Sequence, residues 1–131
     1  MANLSRFLMN HPVANPDPDD FEPDGTWYSM VAVGGDLFAV EPNHQEIDRI
    51  SPTTGGISRL IDISVSHPAP TNWVGPTAIA YHNGNFFVGT LNPFPIVQGS
   101  SKVFKITPTG QISVFRVGLT TILGLAFDSA G

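Results

Sequence analysis

Of 131 residues, 41% are hydrophobic and only 13% charged, with 13 glycines and 12 prolines; this balance fits a turn-rich all-β chain and not a helical bundle. A formal net charge of −5 offers no basic patch for a phosphate backbone, which argues against a nucleic-acid partner. With no cysteine, disulfides, thiolate metal sites and thiol nucleophiles are excluded, and no apolar run nears the roughly 18 residues a membrane span needs.

At the N-terminus, Asn3 is placed to cap a short helix reaching Met9, with Leu4, Phe7 and Leu8 on one side and His11-Pro12 ending it. Met1 to Phe7 holds one basic residue and no apolar stretch of signal-peptide type, so an exported protein would carry its signal upstream. Asn3-Leu4-Ser5 has the form of a glycosylation sequon, a motif common by chance. The loop that follows carries the carboxylates Asp17, Asp19, Asp20, Glu22 and Asp24. They are candidate calcium ligands, because hard cations take clustered oxygens. Their spacing is not that of an EF-hand loop, and Pro16, Pro18 and Pro23 stiffen the segment, so a solvated acidic loop is the plainer reading.

Beyond this region the sequence repeats itself. Met30–Val40 lies over Ile79–Gly89 without a gap at a spacing of 49 residues, each copy being an apolar strand, a turn ending in Gly, an Asp or Asn, and a second apolar strand. Gly34-Gly35 and Asn83-Gly84 are tight-hairpin dipeptides, where a positive φ is tolerated. Glu46–Leu60 matches Ser101–Phe115 as strand, Pro-Thr-Gly turn and strand. The alternation around Ile47 and Ile50 predicts a strand with one wet face.

Four strands per unit at a spacing of about 50 residues is the pattern of propeller blades. The predicted fold is therefore an all-β propeller fragment of about two and a half four-stranded antiparallel blades, with a short N-terminal helix and loop. The units fall at 1–26 (helix and acidic loop), 27–74, 75–121 and 122–131, the last being the first strand of a third blade. Because a propeller closes typically 4–8 blades into a ring, the expected partners are the remainder of a ring or identical chains.

The second unit is specific enough to carry a family resemblance. Pro76-Thr77-Ala78-Ile79-Ala80-Tyr81, Gly84-Asn85-Phe86-Phe87-Val88-Gly89-Thr90-Leu91-Asn92, the insertion Phe94-Pro95-Ile96-Val97-Gln98-Gly99, and Gly118-Leu119-Thr120-Thr121-Ile122-Leu123-Gly124-Leu125-Ala126-Phe127-Asp128 resemble the ScyD/ScyE family, named from the scytonemin cluster of cyanobacteria. The resemblance runs from about Trp27 to the C-terminus. It implies an exported bacterial propeller of the NHL and SMP-30 kind, extracellular or periplasmic, and no particular reaction.

Three functional classes remain in play. The first is a binding or structural scaffold with no catalytic residues, taking a small-molecule or glycan ligand. The second is a metal-dependent hydrolase like the SMP-30 lactonases, which would need a divalent cation at strand ends as Lewis acid. Glu41 and Asn43 after the first unit's second strand, with Thr90 and Asn92 in the equivalent places, are the ligand-binding candidates; the carboxylate of Glu41 becomes a hydroxyl at Thr90. The third is a self-assembling structural protein. His44, Glu46 and Asp48 suggest an acid–base set but read more simply as a wet strand edge. His11, His67 and His82 sit in loops and turns as surface residues do, and Trp27, Tyr28 and Trp73 are placed to pack between units. There is no Gly-x-Ser-x-Gly elbow, and Gly99-Ser100-Ser101-Lys102 lacks the rest of a phosphate loop.

Overall fold

The computed structural model describes residues 1–19 and 22–131. Helix α1 (Leu4–Asn10) is followed by strands β1 (Ser29–Val33), β2 (Asp36–Glu41), β3 (Glu46–Ile50) and β4 (Ile57–Asp62), then β5 (Pro76–His82), β6 (Asn85–Thr90), β7 (Ser101–Ile106) and β8 (Ile112–Leu119). The strands form two four-stranded antiparallel sheets, each in the order of the sequence. The two sheets stack and do not close into a ring.

Both predicted hairpins form. Val33 pairs with Asp36 across Gly34-Gly35, and His82 with Asn85 across Asn83-Gly84; all four turn residues have positive φ, between 47° and 87°. Two consecutive positive φ angles match the right-handed twist of the flanking strands, which is why glycine and asparagine stand there.

The second half of the repeat differs from its gap-free sequence match by one residue. Leu37 pairs with Ile50 and its counterpart Phe86 with Ile106, a spacing of 56 from Ile50 to Ile106, whereas Ile57 and Ile112, which close the next hairpins, are 55 apart. The first turn, Pro52 to Gly56, thus holds one residue more than the second, Pro108 to Gln111. The shift moves the true counterpart of Asp48 from Val103 to Phe104, and so exchanges one face of the strand for the other.

The core lies between the sheets. Phe38, Val40, Ile47 and Ile61 from the first meet Ile79, Phe86, Val88, Phe104 and Ile106 from the second. At the repeat spacing, Phe38 corresponds to Phe87 and Leu37 to Phe86. Phe87 belongs to a separate cluster on the far side of the second sheet, so the front of one sheet packs on the back of the next. On that far front lie Ile122, Leu125 and Phe127. Residues 122–128, expected to begin a third unit, join no strand ladder and lie over β6 and Val103.

The back of the first sheet is covered by the N-terminal segment. Asn3 caps α1, its Oδ1 accepting from the Arg6 N–H at 2.9 Å. Leu8 and Val13 are buried, Ala14 N–H donates to Asp62 Oδ2 at 2.7 Å, and Asn15 bonds Ser64 through both backbone and side chain. The predicted wet face of β3 is consequently dry: Glu46 and Asp48 are fully buried beneath this segment.

Candidate functional site

The loops after β2, after β4 and after β6 meet the acidic N-terminal loop at one end of the sheets. There a groove of about 460 Å³ is lined by Asp17, Asp19, Glu22 and Asn43 together with Trp73, Pro93 and Phe94. A second hollow of about 360 Å³ shares Trp73, Pro93 and Phe94 and adds Asn92, Ser100 and Lys102. The two hollows therefore share their aromatic lining, one adding carboxylates and the other Lys102.

Local structure fixes the wall residues. Trp73 Nε1 donates to the Asn43 carbonyl at 3.2 Å, and the indole lies over Gly75, whose φ of +57° lets the chain turn beneath it. A β-carbon on Gly75 would fall 2.2 Å from that ring, so the glycine is what admits the indole. The same Asn43 ties in the acidic loop: Glu22 accepts from the Asn43 amide at 2.8 Å and from the Thr26 hydroxyl. These two bonds hold the Glu22 carboxyl below its ordinary range. Asp17 Oδ1 accepts from the Asp19 N–H at 3.0 Å, a local turn that sets the pitch of the loop.

Of the sequence candidates, Asp17, Asp19, Glu22 and Asn43 come together at this groove, and Asn92 lines the neighbouring hollow. Asp24 is exposed and lines neither, and Asp20 lies outside the described residues. Glu41 and Thr90 do take equivalent places, but both are buried and turned toward neighbouring backbone. Glu41 Oε1 accepts from the Thr26 N–H at 2.8 Å, while Oε2 accepts from the His44 N–H at 2.5 Å and lies 3.1 Å from the His44 imidazole. Thr90 Oγ1 accepts from the Lys102 N–H at 3.0 Å and donates to Asn92 Oδ1 at 2.7 Å. Carboxylate and hydroxyl perform the same task there, closing a loop on orphan backbone donors. Among the described residues no three His, Asp or Glu side chains are arranged to hold a metal ion.

The suggested set of His44, Glu46 and Asp48 is not assembled: the His44 imidazole contacts Glu41, and Glu46 and Asp48 are sealed under the N-terminal segment with Arg59. The other histidines each contact an aromatic ring. His11 stacks on Phe7 at 4.3 Å, His82 on Phe127 at 4.3 Å, and His67 meets Phe104 edge-on at 5.0 Å. Tyr28 is largely exposed.

What sequence reasoning missed is that Trp73 and the Phe94 insertion line the same groove. In the sequence the two rings stand in separate loops with a whole hairpin between them, and only Phe94 is flanked by prolines. No protein-family model, curated protein or solved structure matches the chain. Among the described residues no helix is long and apolar enough to cross a membrane.

Proposed function

We propose that this chain is part of an exported propeller of the ScyD/ScyE type, serving as a binding scaffold, and that it takes a small polyhydroxylated ligand in the groove between Trp73 and the acidic loop. The observation that carries the binding reading is the groove's composition. Carboxylates, an amide and two aromatic rings line the same space of about 460 Å³, the combination that hydrogen-bonds hydroxyls while stacking the apolar face of a sugar ring.

The propeller reading is supported by how the units repeat in space. The Ser29 hydroxyl donates to the Thr77 carbonyl at 2.7 Å, and the Thr77 hydroxyl donates to the Ile122 carbonyl at 2.5 Å. Both bonds run from a hydroxyl to a carbonyl of the following unit, from donor positions one residue apart in the repeat, and a step of one sense from unit to unit is what generates a ring. The lactonase alternative gains nothing from Glu41 and Thr90, whose side chains are spent on loop closure.

A titration tests the binding reading. Indole fluorescence is followed while neutral mono- and oligosaccharides are added one at a time. A saturable change with at least one sugar is expected, abolished by Trp73→Ala and retained by Trp27→Phe. Absence of saturation across the panel, or a signal that survives loss of Trp73, overturns it.

A further inference from the structure

The back of the first sheet holds an unusual inventory. Glu41, Glu46 and Asp48 are all fully buried, on the face where the second sheet carries Thr90 and Phe104. Glu41 is answered by two backbone N–H groups and the His44 imidazole. Glu46 Oε2 accepts from the Arg59 guanidinium at 3.0 Å. Among the described residues no N–H or O–H donor reaches Glu46 Oε1 or either oxygen of Asp48. Two carboxyl groups, neighbours on one face of β3, therefore lie closed off from bulk solvent beside one guanidinium, which of the two bonds only Glu46. Burial strongly disfavours an unpaired ionised carboxylate, so the cluster is balanced only when one carboxyl carries a proton and donates it to the other.

The same guanidinium holds the N-terminal segment. Arg59 donates to the His11 carbonyl and lies 6.0 Å from the centre of the Phe7 ring. We propose that Glu46, Asp48 and Arg59 form a proton-dependent latch: with one proton shared between the carboxyls, residues 4–14 stay seated on the sheet, and loss of that proton releases them. Once both carboxyls are ionised, the excess charge must be hydrated. Water reaches it only if the segment covering it lifts.

The surroundings favour the protonated form. Burial first, and then the adjoining Glu46, push the Asp48 carboxyl up to about 9, and burial likewise raises Glu46. Glu41 on β2 adds a like charge and Arg59 on β4 opposes it; Asp62 on β4 stands opposite Glu46 and accepts from the Ala14 N–H, His11 stacks on Phe7, and Arg6 faces solvent. The closed state thus binds one proton more than the open state between the ordinary Asp value of 3.8 and about 9. In that window each pH unit favours opening roughly tenfold. Closure is firmest in acid and is lost as the pH rises.

Hydrogen exchange read by mass spectrometry on the whole chain tests the latch between pH 6 and 9.5, after correction for the intrinsic exchange rate. Protection of residues 4–14 is expected to fall roughly tenfold per pH unit until the segment is open, while Phe86–Thr90 in the core stays protected. Asp48→Asn supplies a neutral donor at every pH and flattens the profile, and Glu46→Gln does the same. A flat profile in the unaltered chain overturns the proposal, as does an equal fall in either folded variant. Should a variant not fold, the unaltered chain's profile alone still decides.

Discussion

Asp48 and Phe104 occupy the same place in two sheets of the same build: Asp48 stands opposite Ala39 on β2, and Phe104 opposite Val88, the counterpart of Ala39, on β6. What covers each face explains the difference. Phe104 lies in the apolar cluster between the sheets, with the His67 ring edge-on to it. Asp48 lies under a segment that brings Phe7 and the His11 carbonyl to Arg59, so a charged network is tolerated there.

Phe104 is 1% exposed and sits in the cluster that joins the sheets. Phe104→Ala should therefore cost about 3–5 kcal/mol in a urea titration, through lost burial and the cavity left behind. Phe104→Asp, which copies the first sheet's residue without its Arg59, should abolish cooperative unfolding. A loss under about 1 kcal/mol for the alanine variant would show that the sheets do not stack on this ring.

His67 sets an acid limit to stability. Burial, and then the charge of Lys102, lower its pKa below the ordinary 6.5, so the folded chain keeps the ring neutral where the unfolded chain would protonate it. The unfolded state then binds more protons, and stability is lost as the pH falls below 6.5. His67→Gln should remove that loss, and the difference between the two thermal melting curves should widen from pH 7 to pH 5. Parallel curves would mean that His67 titrates as it does in the unfolded chain.

The two hairpins were legible in the sequence because Gly34-Gly35 and Asn83-Gly84 encode their geometry within four residues. The one-residue shift between β3 and β7 was not, because the extra residue in Pro52–Gly56 hides among turn residues that align equally well with or without a gap. Glu46 and Asp48 looked wet for a related reason. Alternation along a strand reports which residues share a face, and it does not report what lies on that face. Of the groove, the acidic wall was legible as a run of carboxylates. The aromatic wall comes from Trp73 and Phe94, which only the stacking of loops brings together.

Gly89 gives a test of the C-terminal segment. Val40 fills the corresponding position in the first sheet, but a β-carbon on Gly89 would fall 2.4 Å from Ile122 Cγ2 and 3.0 Å from its Cβ. Gly89→Ala should displace Ile122 at a cost of about 1–3 kcal/mol, speeding hydrogen exchange over residues 120–128 while β5 and β6 stay protected. Unchanged exchange there would place Ile122 elsewhere than over β6.

Gly75 separates the groove from the fold. Its φ of +57° disfavours any side chain, and an added methyl would meet the Trp73 ring at 2.2 Å from one atom and 2.6 Å from the next. Gly75→Ala should destabilise the chain by about 1–3 kcal/mol, the usual cost of a non-glycine residue in the left-handed region. Its larger effect should be on binding, because the indole can relieve the clash only by leaving the wall it shares with Phe94. In the sugar titration the variant should lose its saturable fluorescence change while its far-ultraviolet circular dichroism stays that of a β-sheet protein. Retention of full affinity with a displaced indole would separate Trp73 from ligand binding and leave the acidic wall, Asp17, Asp19 and Glu22, to account for it alone.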